Sequence, residues 1–295
     1  MNMKVACAPC CWGVEPSELS VNPSWGRILV EAREAGYEGI ELGPIGYFPD
    51  DPELLKSALR VRGLRACAGN LHEAFSDPSA RQRIVEKAEK EVRRLVAIGV
   101  DKLLIMDAKN TVRDAYVGQS VIAPRLNRES MAAMIATILE VVALAEQQGI
   151  RVLLHPSSGG YVAFEDEIAA VMNAIPANKL GLCLDVGHLY IDGMQPEVML
   201  RRYANRLEHV HVKDIDAQQL HQVRRDRCGI HQAYSQSLTR PLGQGSIKLN
   251  EIWRLLKEMN YQGWLVVEQE HPVSAIETVK QDLAKSRTYL SDCGV

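Results

Sequence analysis

Short apolar runs in this 295-residue chain end on side chains that could do chemistry. "LCLDVGH" (182–188) closes on Asp185, and "VLLHPSSGG" (152–160) reaches His155. "EHVHVKD" (208–214) carries His209 and His211, and "WLVVEQE" (264–270) carries Glu268. A carboxylate at the end of an apolar run is costly unless something pairs with it. Asp185 therefore either caps a following helix or turn, or holds a cation or a substrate hydroxyl. His209 and His211 are two residues apart and point to one side of a strand. Carboxylates and imidazoles gathered with vacant positions suit Mn2+, Co2+, Mg2+ or Zn2+. Each group also has a bland reading: a strand-end acid that caps a helix, or a histidine hydrogen-bonded in the core. His209, the deeper of its pair, suits a partner lying behind a ligand. Glu41, in "GIEL", caps a turn or joins the same site.

These residues lie far apart in sequence, so the fold must gather them. Strands are predicted at Val5–Ala8, Gly39–Leu42, Leu64–Ala68, Lys102–Met106, Val152–His155, Gly181–Asp185, Glu208–Val212 and Leu265–Glu268. Amphipathic helices are predicted between them, at Trp25–Ala35, Pro52–Val61, Ala80–Ile98, Glu129–Gln148, Phe164–Ala174 and Ile247–Met259, with a last helix over Ala275–Leu290. "EAGYEGIEL", "AIGVDKLLI", "EQQGIRVLL" and "EMNYQGWLVVE" each read as a helix end, a glycine turn and an apolar strand. Eight such units imply an α/β fold, a single (β/α)8 TIM barrel occupying residues 1–295 as one domain. Its active site belongs at the C-terminal ends of the strands, where the singled-out residues fall. One connection breaks the rhythm. Residues 213–246 show no clear period, and a loop of that length after the seventh strand is expected to lie over the barrel mouth as a lid.

Composition narrows the function classes. Hydrophobic residues make up 46% of the chain, enough for a sizeable core. The formal charge of −3 offers no basic excess for nucleic acid. No stretch approaches the roughly 20 apolar residues of a membrane span, and the N-terminal apolar run is too short for a signal peptide. Seven scattered cysteines do not make a disulfide framework, and a cytoplasmic location with reduced thiols is expected.

At these residues the chain resembles the xylose isomerase-like barrel superfamily of sugar isomerases and epimerases, and within it the inosose dehydratase branch. The matching stretches are "GYEGIELG" with "DPELLKSAL", then "HPSSGGYV", "LCLDVGHLYIDG", "HVHVKD" and "GQGSIKLNEIWRLLKEMNYQGWLVVEQE", which span almost the whole chain. The resemblance implies a divalent metal, Mn2+ first with Co2+, Mg2+ or Zn2+ as alternatives. Asp185, His211 and Glu268 match metal ligands. His188 matches a substrate-contacting histidine, and Glu41 and Trp12 match groups lining the substrate pocket, though Trp12 equally suits a buried lid on the barrel mouth. Where epimerases of the superfamily place a glutamate, this chain has His155, as inosose dehydratases do. His155 is expected to ligate the metal, and an imidazole also suits proton transfer.

The shared chemistry is removal of a proton next to a ketone, with the enediolate oxygen stabilised by the cation. His155 or Glu268 is the expected base. Lys213 is expected to stabilise the oxyanion or assist a leaving hydroxyl, or else to pair with Asp214 at the loop root. Proton return gives isomerisation or epimerisation, and loss of a β-hydroxyl gives dehydration. The first reading is an isomerase or epimerase acting on a keto-sugar or keto-polyol. An inosose dehydratase is the alternative. A non-catalytic sugar-binding barrel is more distant. So is an endonuclease of the related zinc type using Asp185, His188, His211, His231 and Glu268 with His72, and negative charge argues against it. The expected partner is a small sugar or inositol-derived ketone, with neither nucleic acid nor membrane. A homo-oligomer fits such barrels, but no sequence feature fixes the number of subunits.

Overall fold

The computed structural model describes residues 3–15, 20–271 and 276–295, the side chain of Ile276 excepted. Its strands are β1 (Lys4–Cys7), β2 (Gly39–Ile40), β3 (Arg65–Ala66), β4 (Gly69–Glu73), β5 (Lys102–Asp107), β6 (Arg151–Leu154), β7 (Gly181–Asp185), β8 (Leu207–Val212), β9 (Asp214–Ile215), β10 (Thr239–Arg240) and β11 (Trp264–Val267). All but β9 and β10 pair in parallel in one sheet, ordered β3-β2-β1-β11-β8-β7-β6-β5-β4. The two ends of that order are pieces of a single run, interrupted at Cys67 and Ala68. β3 pairs with β2, and β4 pairs with β5. Across the interruption Cys67 N–H donates to Ile40 O, and Leu42 N–H donates to Ala68 O, each at 3.0 Å. Eight parallel runs therefore close on themselves, which is the barrel expected from the alternating pattern.

Helices fill the crossovers: α1 (Trp25–Glu34), α2 (Pro52–Arg62), α3 (Arg81–Ile98), α4 (Thr111–Asp114), α5 (Arg128–Glu146), α6 (Glu165–Ala174), α7 (Val186–Ile191), α8 (Pro196–Arg202), α9 (Ala217–Asp226), α10 (Ile230–Ser235), α11 (Leu249–Glu258) and α12 (Ile276–Asp292). Ala275, the expected start of the last helix, lies outside the described residues. Strands covered on one face by helices and on the other by the barrel interior read as continuous apolar runs, and Val5, Leu103, Val152, Leu184, Val210 and Leu265 all lie in the core. Gly63 and Gly99 end α2 and α3 in the left-handed region, at φ +64° and +78°. In "EMNYQGWLVVE" Asn260 takes that conformation at φ +52°, not the glycine expected from the motif. All seven cysteines are free, five of them buried. No helix among the described residues is long and apolar enough to cross a membrane.

The segment expected to lack regular structure, 213–246, does not. It holds α9, α10 and an antiparallel β9–β10 ribbon. α9 buries only Leu220 and Val223, so its sequence carries too few apolar positions to show a helical period. The segment contacts the connections that follow β5 and β11. Ile230 N–H donates to Asp114 Oδ1 at 2.8 Å, and Thr239 Oγ1 donates to the carbonyl of Glu270 at 2.8 Å.

Candidate active site

Strand register alone brings the polar residues together. Cys183 lies beside His209 and Asp185 beside His211 across β7 and β8, and Val266 of β11 lies beside His211 on the other side. The twofold alternation then sends His209, His211 and Lys213 inward at successive levels, and stacks Glu268 and Glu270 above β11 in the same way. Asp185, His209, His211, Lys213, Glu268, Glu270 and Glu41 are all buried.

His155, Asp185, His211 and Glu268 offer ligand atoms that all lie within 4.8 Å of one another. His211 Nδ1 is 3.0 Å from His155 Nε2, 3.2 Å from Glu268 Oε1 and 4.0 Å from Asp185 Oδ2. The far nitrogen of His211, Nε2, lies 2.7 Å from Glu41 Oε1, which His209 Nε2 also meets at 2.7 Å. Nε2–H donates to that carboxylate, and loss of the Nδ1 proton would free a lone pair facing the cluster, as a metal-ligating imidazole requires. Burial works against the charge, yet Cys183, Glu268 and Glu41 hold His211 well above the usual histidine range. Burial opposes the Glu41 charge, but His211 and His209 hold its carboxyl down to about 2. Burial pushes His155 down to about 4, so it stays neutral and available as a ligand. Asp185 Oδ2 accepts no hydrogen bond. Three buried carboxylates (Asp185, Glu268 and Glu270) surround Lys213. This donor set and its negative excess fit a divalent cation of borderline hardness.

The two oxygens of Asp185 have different surroundings. Oδ1 caps α7, accepting from Gly187 N–H at 2.7 Å and His188 N–H at 2.9 Å, while Oδ2 faces the cluster. Lys213 departs from expectation. It is fully buried, pairs with Asp185 and Glu268 at 3.1 Å each and bonds Glu270, and makes no pair with Asp214. Asp214 instead accepts from the backbone N–H groups of Ile215, Gly243, Gly245 and Ile247. Burial works against the Lys213 ammonium, yet the surrounding Asp185 and Glu270 hold it well above the usual lysine range. Its stem passes so close to Gly187 that a Cβ there would stand 1.9 Å from Lys213 Cγ, which explains the glycine of "DVGH".

A cavity of about 280 Å3 opens beside the cluster. His155, His188, Glu268 and Glu270 form its inner wall, and Asn70, His72, Lys109, Glu15 and Tyr234 continue it outward. Glu270, Tyr234 and Asn70 were not singled out from sequence. Glu270 was legible in "VVEQE", since its two-residue spacing from Glu268 puts both on one side. Tyr234 and Asn70 carry no such signal. Trp12 and Glu41, expected on the pocket wall, are not there. Trp12 is fully buried and donates Nε1–H to Glu31 Oε2 at 2.6 Å. Glu41 lies beneath the cluster, with Asn70 Nδ2 donating to its other oxygen at 3.2 Å. Lys213 is likewise behind the wall and not on it. Glu41→Gln is therefore expected to weaken Mn2+ binding about 10- to 100-fold in calorimetric titration, while KM at saturating metal changes little. A raised KM with unchanged metal affinity would return Glu41 to the substrate wall.

The profile of the family described as the xylose isomerase-like TIM barrel matches residues 29–289. Inosose dehydratase from Clostridium perfringens is 28% identical over 298 residues, covering 99% of this chain and 97% of that protein. Among solved structures, the IolI protein with a bound zinc atom superposes with a TM-score of 0.74 at 16% identity, covering 99% of this chain and 98% of that one. D-allulose 3-epimerase from Methylomonas sp. superposes with a TM-score of 0.71 at 17% identity, covering 99% of this chain and 98% of that one. At such identities the structural matches speak for the fold alone.

Proposed function

The chain belongs to the xylose isomerase-like TIM barrel family, and from that premise we propose that it is a divalent-metal-dependent enzyme that dehydrates a keto-inositol or a closely related keto-polyol. The observation that carries this reading is the convergence of His155, Asp185, His211 and Glu268 at one end of a cavity sized for a single ring. These four residues would hold the cation. Imidazole nitrogen together with carboxylate oxygen would suit Mn2+ or Co2+ as well as Zn2+, and the oxygen-rich set tilts towards Mn2+ or Co2+. The cation supplies Lewis-acid polarisation of the ketone and fixes its orientation.

The residues on the wall supply the proton chemistry. Glu270 lines the cavity with Oε1 held by Lys213 and its buried Oε2 free of any hydrogen-bond partner. It takes the proton from the carbon beside the ketone, replacing His155 and Glu268, which the sequence reading placed in that role but which crowd into the ligand cluster. The electron pair forms the new C=C bond, the β C–O bond breaks, and the departing hydroxide takes a proton from His188. The enol so formed rearranges to a diketone.

The outer wall argues for an uncharged polyol. Lys109 is already paired with Glu15 at 3.0 Å, and Lys87 bonds Glu73, so neither cation is left for a phosphate or carboxylate. Dehydration stands ahead of the isomerase or epimerase reading for two reasons. The full-length relative carries the dehydratase name, and a neutral His155 occupies the position where proton exchange between two glutamates would need a carboxylate. The test is proton NMR and mass spectrometry in D2O, with the Mn2+ enzyme given an inosose and a panel of ketohexoses and ketopentoses. Deuterium incorporation with loss of one water supports the proposal. Exchange with unchanged mass assigns an epimerase, and no exchange across the panel overturns enolisation chemistry.

A further inference from the structure

His188 presents a conflict that its own site does not resolve. Its buried ring is offered a hydrogen-bond donor at each nitrogen: Ser158 N–H at 3.3 Å from Nδ1, and the Lys213 ammonium at 3.4 Å from Nε2. A donor aimed at each nitrogen leaves no room for a proton on both, so the ring is neutral. A neutral imidazole accepts at only one nitrogen. The deciding contact is the Ser158 hydroxyl, 3.0 Å from Nδ1 and 2.7 Å from Asp192 Oδ2.

We propose that Asp192, acting through Ser158, sets which nitrogen of His188 carries the proton and delivers a proton through that ring to the cavity. With Asp192 ionised, the Ser158 O–H donates to it, the hydroxyl oxygen accepts from His188 Nδ1–H, and Nε2 turns a lone pair to the cavity. With Asp192 protonated, its O–H donates to Ser158 Oγ, the Ser158 O–H donates to Nδ1, and Nε2–H faces the cavity as a donor. In dehydration the departing hydroxide takes the Nε2 proton, Nδ1 takes the Ser158 proton, and Ser158 takes the Asp192 proton. The ring stays neutral, and Asp192 ends as carboxylate.

Asp192 suits that office. Burial pushes its carboxyl up to about 7, partly opposed by Ser158 and by the Gly118 N–H bonded to its other oxygen at 3.0 Å. The charged groups around it are mutually engaged. Arg113 of α4 pairs with Glu167 of α6 at 2.9 Å, and Arg224 of α9 donates to the Ile191 carbonyl. Asp192 also borders an outer cleft rimmed by the pairs Arg125–Asp166 and Arg202–Glu165, a route by which water can restore its proton. Asp192 touches no substrate. It is a positioning residue.

The catalytic consequence rests on the dehydratase reading, but the tautomer does not. Two-bond 1H–15N spectra of the Zn2+-loaded protein, assigned with His188→Gln and recorded without substrate, read it directly. Between pH 6 and 8, His188 Nε2 is expected to change from donor to acceptor with a midpoint near the Asp192 value of about 7. In Asp192→Asn the amide donates to Ser158 at every pH, so the ring stays Nε2–H. In Ser158→Ala the pH dependence disappears. With substrate, the wild-type kcat falls above that midpoint, and Asp192→Asn loses the limb with kcat lowered about 100-fold and KM little changed. A single His188 tautomer throughout in the wild type, or an unchanged midpoint in Asp192→Asn, overturns the relay. A tautomer switch without turnover of any ketone leaves the relay standing and overturns the dehydratase assignment.

Discussion

Asp185→Asn is expected to leave the barrel folded and abolish turnover. The amide oxygen of asparagine can still cap α7 through Gly187 and His188, so the helix start survives. What is lost is the charged oxygen facing His211 and Lys213. Metal affinity should fall more than the roughly 100-fold seen for partners one layer out. Lewis-acid polarisation is worth several kcal/mol, and each 1.4 kcal/mol is tenfold, so kcat/KM should drop about 1,000-fold or more. Metal content after gel filtration, a thermal melt and a turnover assay check the three parts separately. An Asp185→Asn protein that retains stoichiometric metal would remove Asp185 from the ligand set.

The largest effect on stability is expected from Lys213→Met. Among the described residues the lysine is the sole ammonium paired with Asp185, Glu268 and Glu270, all of them buried, and removing one partner of such a set costs about 3–5 kcal/mol. A barrel of this size should lose roughly 5–15 °C in Tm. Added Mn2+ should recover part of that loss, because a cation in the cluster neutralises the same carboxylates, and a ligand at 100 times its Kd contributes about 2.7 kcal/mol. Melts with chelator and with excess Mn2+ test this. A Lys213→Met protein as stable as wild type in chelator would show that the three carboxylates are protonated, and that Lys213 does not hold their charge.

The barrel was legible because its signals are local and repeated. Each helix end, left-handed residue and apolar strand sits within about a dozen residues, and eight repetitions imply closure. The ligand cluster was legible for a related reason. Strand alternation sends every second residue inward, so strand-end polar residues in a closed barrel converge whatever their separation in sequence. That convergence brought His155, Asp185, His211 and Glu268 together.

What lay behind or above that cluster was not legible. Trp12 and Glu41 sit near the mouth in sequence terms, yet one packs against Glu31 on α1 and the other supports His209 and His211 from below. α10 brings Tyr234 over the site, and its six residues are too few to show a helical period. Ser158 and Asp192 belong to a loop and the end of a short helix 34 residues apart, and nothing in their spacing predicts a shared hydrogen bond.

The sequence by itself determined the fold and the set of polar residues that meet at the strand ends, because backbone periodicity and the types of the polar residues suffice for those. Only the tertiary structure decided which oxygen of Asp185 faces the cluster, that Lys213 pairs with Asp185, Glu268 and Glu270, that Glu270 Oε2 is left without a partner, and that Asp192 reaches His188 through Ser158. Those outcomes depend on side-chain distances of 3 Å or so between segments with no local coupling, and distances of that kind are set by packing.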